Sequence, residues 1–78
     1  MPTVLRYRGY RFFFFSLDRS EPIHIHVEKQ DKYAKFWLNP VCVAKSRGFR
    51  DHELNAIVEI IEKHLDILEV KWNEFFGC

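Results

Sequence analysis

From Asp51 to Phe76 a single apolar stripe dominates the chain. Leu54, Val58, Ile61, Leu65, Leu68, Trp72 and Phe75 recur at alternating steps of four and three, the spacing of one face of an α-helix. Gly77 follows as a stop. A helix with one apolar face must bury it against another layer. A straight helix over residues 51–76 would run about 39 Å at 1.5 Å per residue, whereas an ordinary strand spans roughly 17–20 Å. The helix therefore either breaks, most naturally between Glu62 and Asp66, or lays its second half on another subunit. A homodimer is favoured on this ground.

The preceding residues supply the other layer. Thr3 to Arg8 reads as a strand, Arg8-Gly9 as a two-residue turn, and Tyr10 to Ser16 as a second strand. That turn sets Tyr7 opposite Tyr10, Arg6 opposite Arg11 and Leu5 opposite Phe12. Leu5, Phe12 and Phe14 then share one face, while Arg6, Arg11, Phe13 and Phe15 share the other. A polar loop over Leu17 to Pro22 leads to Ile23–Lys29, where Ile23, Ile25 and Val27 alternate with His24, His26 and Glu28. Gln30-Asp31-Lys32 turns the chain into a fourth strand, Tyr33 to Leu38, which Asn39-Pro40 ends because proline cannot continue a ladder. Val41 to Ala44 fits a short strand or a helical turn, and Lys45 to Gly48 reads as a basic loop. The expected fold is α+β: one domain over residues 1–78, an antiparallel sheet of about four strands within 3–38, a loop over 39–50, and a long C-terminal helix over 51–76.

Seventy-eight residues leave no room for a second core. An aromatic share of 17% excludes a disordered chain. The formal net charge of +1 argues against a general nucleic-acid coat, although charge can still gather on one face. Cys42 and Cys78 form neither a disulfide framework nor a zinc motif, which fits a reducing compartment. The opening residues show no signal-peptide core, and no stretch is long enough to span a bilayer. The expected location is the cytoplasm, with no membrane partner.

Three groups of residues could carry chemistry. His24 and His26 stand two apart on a strand, so both imidazoles face one way about 6.7 Å apart at Cα and could share a divalent metal, with Glu28 as a third ligand. The competing reading is a pair of histidines hydrogen-bonded to neighbours such as Glu28 or Tyr33. A histidine-triad hydrolase fails, because Glu28 occupies the place of a third histidine. The second group is a sheet face carrying Arg6, Arg11, Phe13, Phe15, His24, His26, Lys35 and Trp37. Cations among aromatics suit a homodimer or small protein partner, the commoner use of so apolar a face, and also suit unpaired bases of RNA or DNA. The third is the stretch Lys45, Arg47, Gly48 and Arg50 before the helix, where backbone N–H groups and cations could hold an anion. An ordinary solvated loop is the simpler reading, and Asp51 in the first turn supports it. No nucleophile–base pair is readable around Ser16, Ser20, Ser46 or the cysteines, so an enzyme is the weaker expectation and no catalytic residue is assigned. No cofactor other than such a metal is suggested.

Taken in order, Gly9-Tyr10-Arg11-Phe12-Phe13-Phe14, Glu21-Pro22-Ile23-His24-Ile25-His26-Val27, Ala34-Lys35-Phe36-Trp37-Leu38-Asn39-Pro40, Ser46-Arg47-Gly48-Phe49 and Trp72-Asn73-Glu74-Phe75-Phe76 resemble the bacterial domain-of-unknown-function family 4160. The likeness runs over essentially the whole chain. It implies a small prokaryotic protein, often encoded beside another short protein, of the kind suspected to form toxin–antitoxin-like pairs. It names no reaction. His24, His26, Arg11, Lys35, Trp37 and the Arg47-Gly48 pair match the family pattern. Arg50 departs from it, standing where such proteins tend to carry a capping serine, with Glu53 three residues on. A guanidinium accepts no hydrogen bond, so the helix start is expected to shift and its surroundings to be more basic. The expected function is a protein-interaction module of a toxin–antitoxin-like system. The alternatives are a metal-dependent hydrolase or ribonuclease built on His24 and His26, and a metal-free RNA binder.

Overall fold

The computed structural model describes residues 3–15 and 20–77. The expected strand end at Ser16, the start of the loop after it, and Cys78 lie outside the described residues. The chain folds as β1 (Thr3–Tyr7), β2 (Tyr10–Phe13), β3 (His24–Lys29), β4 (Lys32–Leu38), β5 (Val41–Arg47), α1 (Asp51–Lys63) and α2 (Leu65–Phe76). The five strands form one antiparallel sheet whose spatial order follows the chain, β1-β2-β3-β4-β5.

The first hairpin follows from two residues. Arg8 and Gly9 take φ of 52° and 86°, the doubly left-handed turn whose twist matches a hairpin. The resulting register pairs Tyr7 with Tyr10, Arg6 with Arg11 and Leu5 with Phe12, as the sequence dictates. Gln30 and Asp31 close the β3–β4 hairpin, which pairs Lys29 with Lys32. Asn39-Pro40, joined by a cis peptide, closes the next, with Leu38 opposite Val41.

That last hairpin corrects the expected loop over 39–50. Residues 41–47 are a fifth strand, and Lys45 and Arg47 belong to its ladder. Two features hide it from periodicity. A bulge shifts the register between Lys35 and Phe36, so that Lys45 lies opposite Lys35 but Val43 opposite Phe36, with Ala44 as the extra residue. The strand is also an edge, exposed along nearly its whole length, so little apolar alternation is required of it.

Both helices cover one sheet face. Phe12, Phe14, Ile25, Val27, Ala34, Phe36 and Leu38 point into the core and meet Ile57, Ile60, Ile61, Leu68, Trp72 and Phe76. The C-terminal helix is not continuous. It breaks at His64, whose amide is shared between the carbonyls of Ile60 and Ile61 at 3.2 and 3.1 Å, and whose Nδ1 donates to the Ile60 carbonyl at 2.8 Å. The Ile60 carbonyl at the end of α1 thus accepts from both the amide and the imidazole of His64. The Tyr7 ring lies against it at 5.3 Å.

The break falls between Glu62 and Asp66, one of the two outcomes the length argument allows, the favoured one being a second subunit. The described residues extend only 34 Å along their longest axis, less than a straight helix would need. The chain therefore carries no straight helix of about 39 Å, and Ile67, Val70 and Phe75 of α2 stay exposed. The buried face is wider than the stripe: Ile57, Ile60 and Phe76 are buried, Leu54 and Val58 pack half-buried against the core, and Phe75 remains 40% exposed.

Candidate functional site: a boxed histidine pair and a basic edge

The sheet face away from the core is organised in rows. Arg6, Arg11, Glu28, Tyr33 and Arg47 are successive partners across the five strands, and Phe13, His26, Lys35 and Lys45 form the next row. His24, Trp37 and Cys42 make a third. The alternation of β3 therefore places His24, His26 and Glu28 together, as the sequence implies.

This end of the face is not open. His24 is 0% and His26 4% exposed, and Phe13 is 2% exposed. Phe13 stacks on the His26 ring at 5.5 Å, Phe15 meets it edge-on at 4.4 Å, and Tyr33 lies at 5.9 Å. His24 packs between Trp37 at 5.6 Å and Trp72 at 5.3 Å, with the two imidazoles 5.0 Å apart. Trp72 comes from α2, so a residue of the helix layer reaches round to the histidines. Of the eight residues expected on a binding face, Phe13, His24 and His26 are interior. Arg6 is exposed, and Arg11, Phe15, Lys35 and Trp37 are half-buried.

Burial of imidazoles requires hydrogen bonds, and they are present. His24 Nδ1 lies 2.8 Å from the Pro22 carbonyl. A carbonyl only accepts, so Nδ1 carries the proton. His26 Nδ1 and the Tyr33 hydroxyl are 2.7 Å apart. This is the hydrogen-bonded alternative that the sequence leaves open. Glu21, a residue outside the rows, reaches Lys35 at 2.6 Å and stands 3.7 Å from His24 Nε2.

The cations beside the pair are engaged within the molecule. Arg11 donates to Glu28 at 2.7 Å and to the Thr3 hydroxyl at 2.7 Å, and lies over the Phe13 ring at 4.4 Å. Lys35 lies over Trp37 at 4.7 Å while holding Glu21. Glu28 therefore serves Arg11. Among the described residues no group of three or more His, Cys, Asp or Glu side chains is placed to hold a metal ion. The strand pleat aligns His24, His26 and Glu28, and the Glu28 carboxylate is engaged by the Arg11 guanidinium.

The expected anion loop is likewise dispersed. Lys45 and Arg47 stand on β5 and face the same side as Tyr33 and Lys35, whereas Arg50 is the residue before α1. Gly48, at φ 91°, packs so close to Lys32 that a Cβ would sit 3.1 Å from its Cγ. The helix start does not shift. Glu53 accepts the Arg50 amide at 2.9 Å, supplying the half of a capping box that needs no acceptor from Arg50. Its other oxygen accepts from Lys32 at 2.8 Å. That lysine hydrogen bond, then the Arg50 amide, hold the Glu53 carboxyl below the ordinary carboxylate range. An acid thus occupies the helix N-terminus where an anion would have bound.

What the dispersal leaves is a shallow hollow of about 510 Å³ lined by Phe15, Tyr33, Lys45, Ser46 and Arg47. Unlike Arg11 and Lys35, neither Lys45 nor Arg47 makes an ion pair among the described residues. Sequence reasoning missed this hollow because it placed Lys45 and Arg47 in a loop. The alternation of Lys45 and Arg47 across Ser46 was the available signal.

Fold and site define a small α+β domain: a five-stranded meander with helices on one side, and a histidine–aromatic box with a basic edge on the other. The chain belongs to the family described as domain of unknown function (DUF4160), whose model matches residues 9–73. The comparison with curated proteins finds no match, and neither does the comparison with solved structures. No helix among the described residues is long and apolar enough to cross a membrane.

Proposed function

We propose that this chain is a partner-binding module, and that its partner is a second short protein of a toxin–antitoxin-like pair. The observation that carries the binding reading is the contrast between the cations. Arg11 and Lys35 are held by Glu28 and Glu21, whereas Lys45 and Arg47 stand beside the hollow under Tyr33 and Phe15 with no ion pair among the described residues. Aromatic rings next to unneutralised cations are the composition of a protein interface. The toxin–antitoxin setting rests on the family likeness alone.

Binding through Lys45 and Arg47 replaces the wider surface suggested by the sequence, since Phe13, His24 and His26 are already buried. A nucleic-acid surface is less well supported. Affinity for a phosphate backbone grows with the number of phosphates neutralised, and two cations supply little of it. The test is co-expression with the product of the adjacent reading frame, followed by native mass spectrometry. A heteromer that dissociates in Lys45→Glu or Arg47→Glu supports the reading. A chain that remains free of any partner in that experiment argues against it.

A further inference from the structure

We infer that β5 receives an extended segment of a partner as a sixth strand, and that the segment alternates acidic with apolar residues. This deepens the partner-binding reading and rests on it. Three observations converge on the same seven residues.

First, β5 is an outer strand of the sheet and is exposed from Cys42 to Arg47. The backbone groups of an edge strand that point away from its neighbour can be met in register only by another strand. Second, one side of this edge is basic. Lys45 and Arg47 stand two residues apart on one face, about 6.7 Å apart at Cα, which matches carboxylates at alternate positions of an added strand. Third, the other side is apolar. Val43 pairs with Phe36 on the helix-covered face yet stays 46% exposed. With Phe36, Leu54 and Val58 it borders a second hollow of about 370 Å³ between β5 and α1, lined also by Asp51 and Asn55 of the first helical turns. An added strand would lay its alternate side chains into these two hollows, acids over Lys45 and Arg47, aliphatics over Val43 and Leu54.

Charge also decides between occupants. A second copy of β5 would bring two further cations onto the same face, so self-pairing is disfavoured while an acidic strand is selected. Single-stranded nucleic acid would use the cations and rings but none of the edge amides. The bulge at Ala44 twists the strand, which limits the length that can pair and predicts modest affinity for an isolated peptide.

The experiment is hydrogen exchange read by NMR on the intact chain, titrated with a short synthetic peptide in which Glu alternates with Val. Amides of β5 are expected to slow while those of the opposite edge, β1, do not. The same peptide with Lys for Glu is expected to protect nothing. Lys45→Glu and Arg47→Glu, both at exposed positions, are each expected to weaken the Glu peptide about tenfold. Unchanged β5 exchange at saturating peptide overturns the inference, as does binding that ignores both variants. Binding of single-stranded oligouridine through Lys45 and Arg47, with the peptide inert, overturns it in favour of nucleic acid. A co-expressed partner whose heteromer is lost in both variants, with β5 amides of the wild-type complex exchanging freely, removes strand addition and leaves the partner reading intact. Peptide addition at β5 with no partner in co-expression does the reverse.

Discussion

The two faces of this sheet are buried by different means. On the helix side Phe12, Ile25, Val27, Phe36 and Leu38 meet aliphatic and aromatic residues of α1 and α2, and the packing needs no polar partner. On the other side the cover is local: Phe13, Phe15, Tyr33, Trp37 and Trp72 enclose two imidazoles whose hydrogen bonds must be satisfied inside. The first arrangement is a core of the common kind and tolerates aliphatic exchange. The second is a polar cluster in a dry setting, where a lost hydrogen bond costs more than at a surface. A domain this small gains from having both, since one core of its size supplies only about 3–5 kcal/mol.

Adjacent phenylalanines test that comparison most sharply. Phe12 and Phe13 point to opposite faces, and both are almost wholly buried. Phe12→Ala and Phe13→Ala are each expected to lower stability by about 3–5 kcal/mol in urea unfolding, enough to unfold much of the chain. A loss under about 1 kcal/mol for Phe13→Ala would make the second face an ordinary surface. Tyr33→Phe probes the polar part of the cluster. It removes the hydroxyl 2.7 Å from His26 Nδ1 and should cost about 1 kcal/mol, with no change in the far-ultraviolet circular dichroism. An unchanged urea midpoint would mean that the contact contributes nothing.

The smallest expected effect lies at the junction of sheet and helix. The Glu53 carboxyl, lowered below its ordinary 4.5, stabilises the fold when ionised. That contribution is present in full above the ordinary value and is lost as pH falls through the lower folded-state value. Wild type should therefore melt above Glu53→Gln at neutral pH, and the gap should close as the solution is acidified below about 4.5. A gap that is constant with pH would assign the effect to packing and not to charge.

Local patterns were legible wherever one residue type controls geometry. Gly9 after Arg8 fixed the first register and the alternation of Ile23 to Lys29 assigned faces, while the length of the stripe left a break near His64 as one of two alternatives. Of β5 only Val41 to Ala44 read as a strand, and equally as a helical turn, because a bulge at Ala44 destroys the period of two that strand reading depends on. The burial of His24 and His26 was not legible. Alternation tells which way a side chain points, but the cover comes partly from Trp72, 46 residues beyond His26 in the chain. The metal set and the anion loop were read from sequence proximity alone. In the fold Glu28 pairs with Arg11, whereas Lys45 and Arg47 stand on β5, and Glu53, held by Lys32, sits at the start of α1.

Because the strands lie in chain order, every ladder in the sheet joins neighbours in sequence. No strand waits for a distant segment before its backbone can pair, and the loop entropy spent at each step is small. The sheet can grow outward from any hairpin, one strand at a time. Such a chain should reach its folded state quickly for a protein rich in β-structure. As long as ribosomal synthesis proceeds at about 5–20 residues per second, each strand emerges with its partner already available beside it.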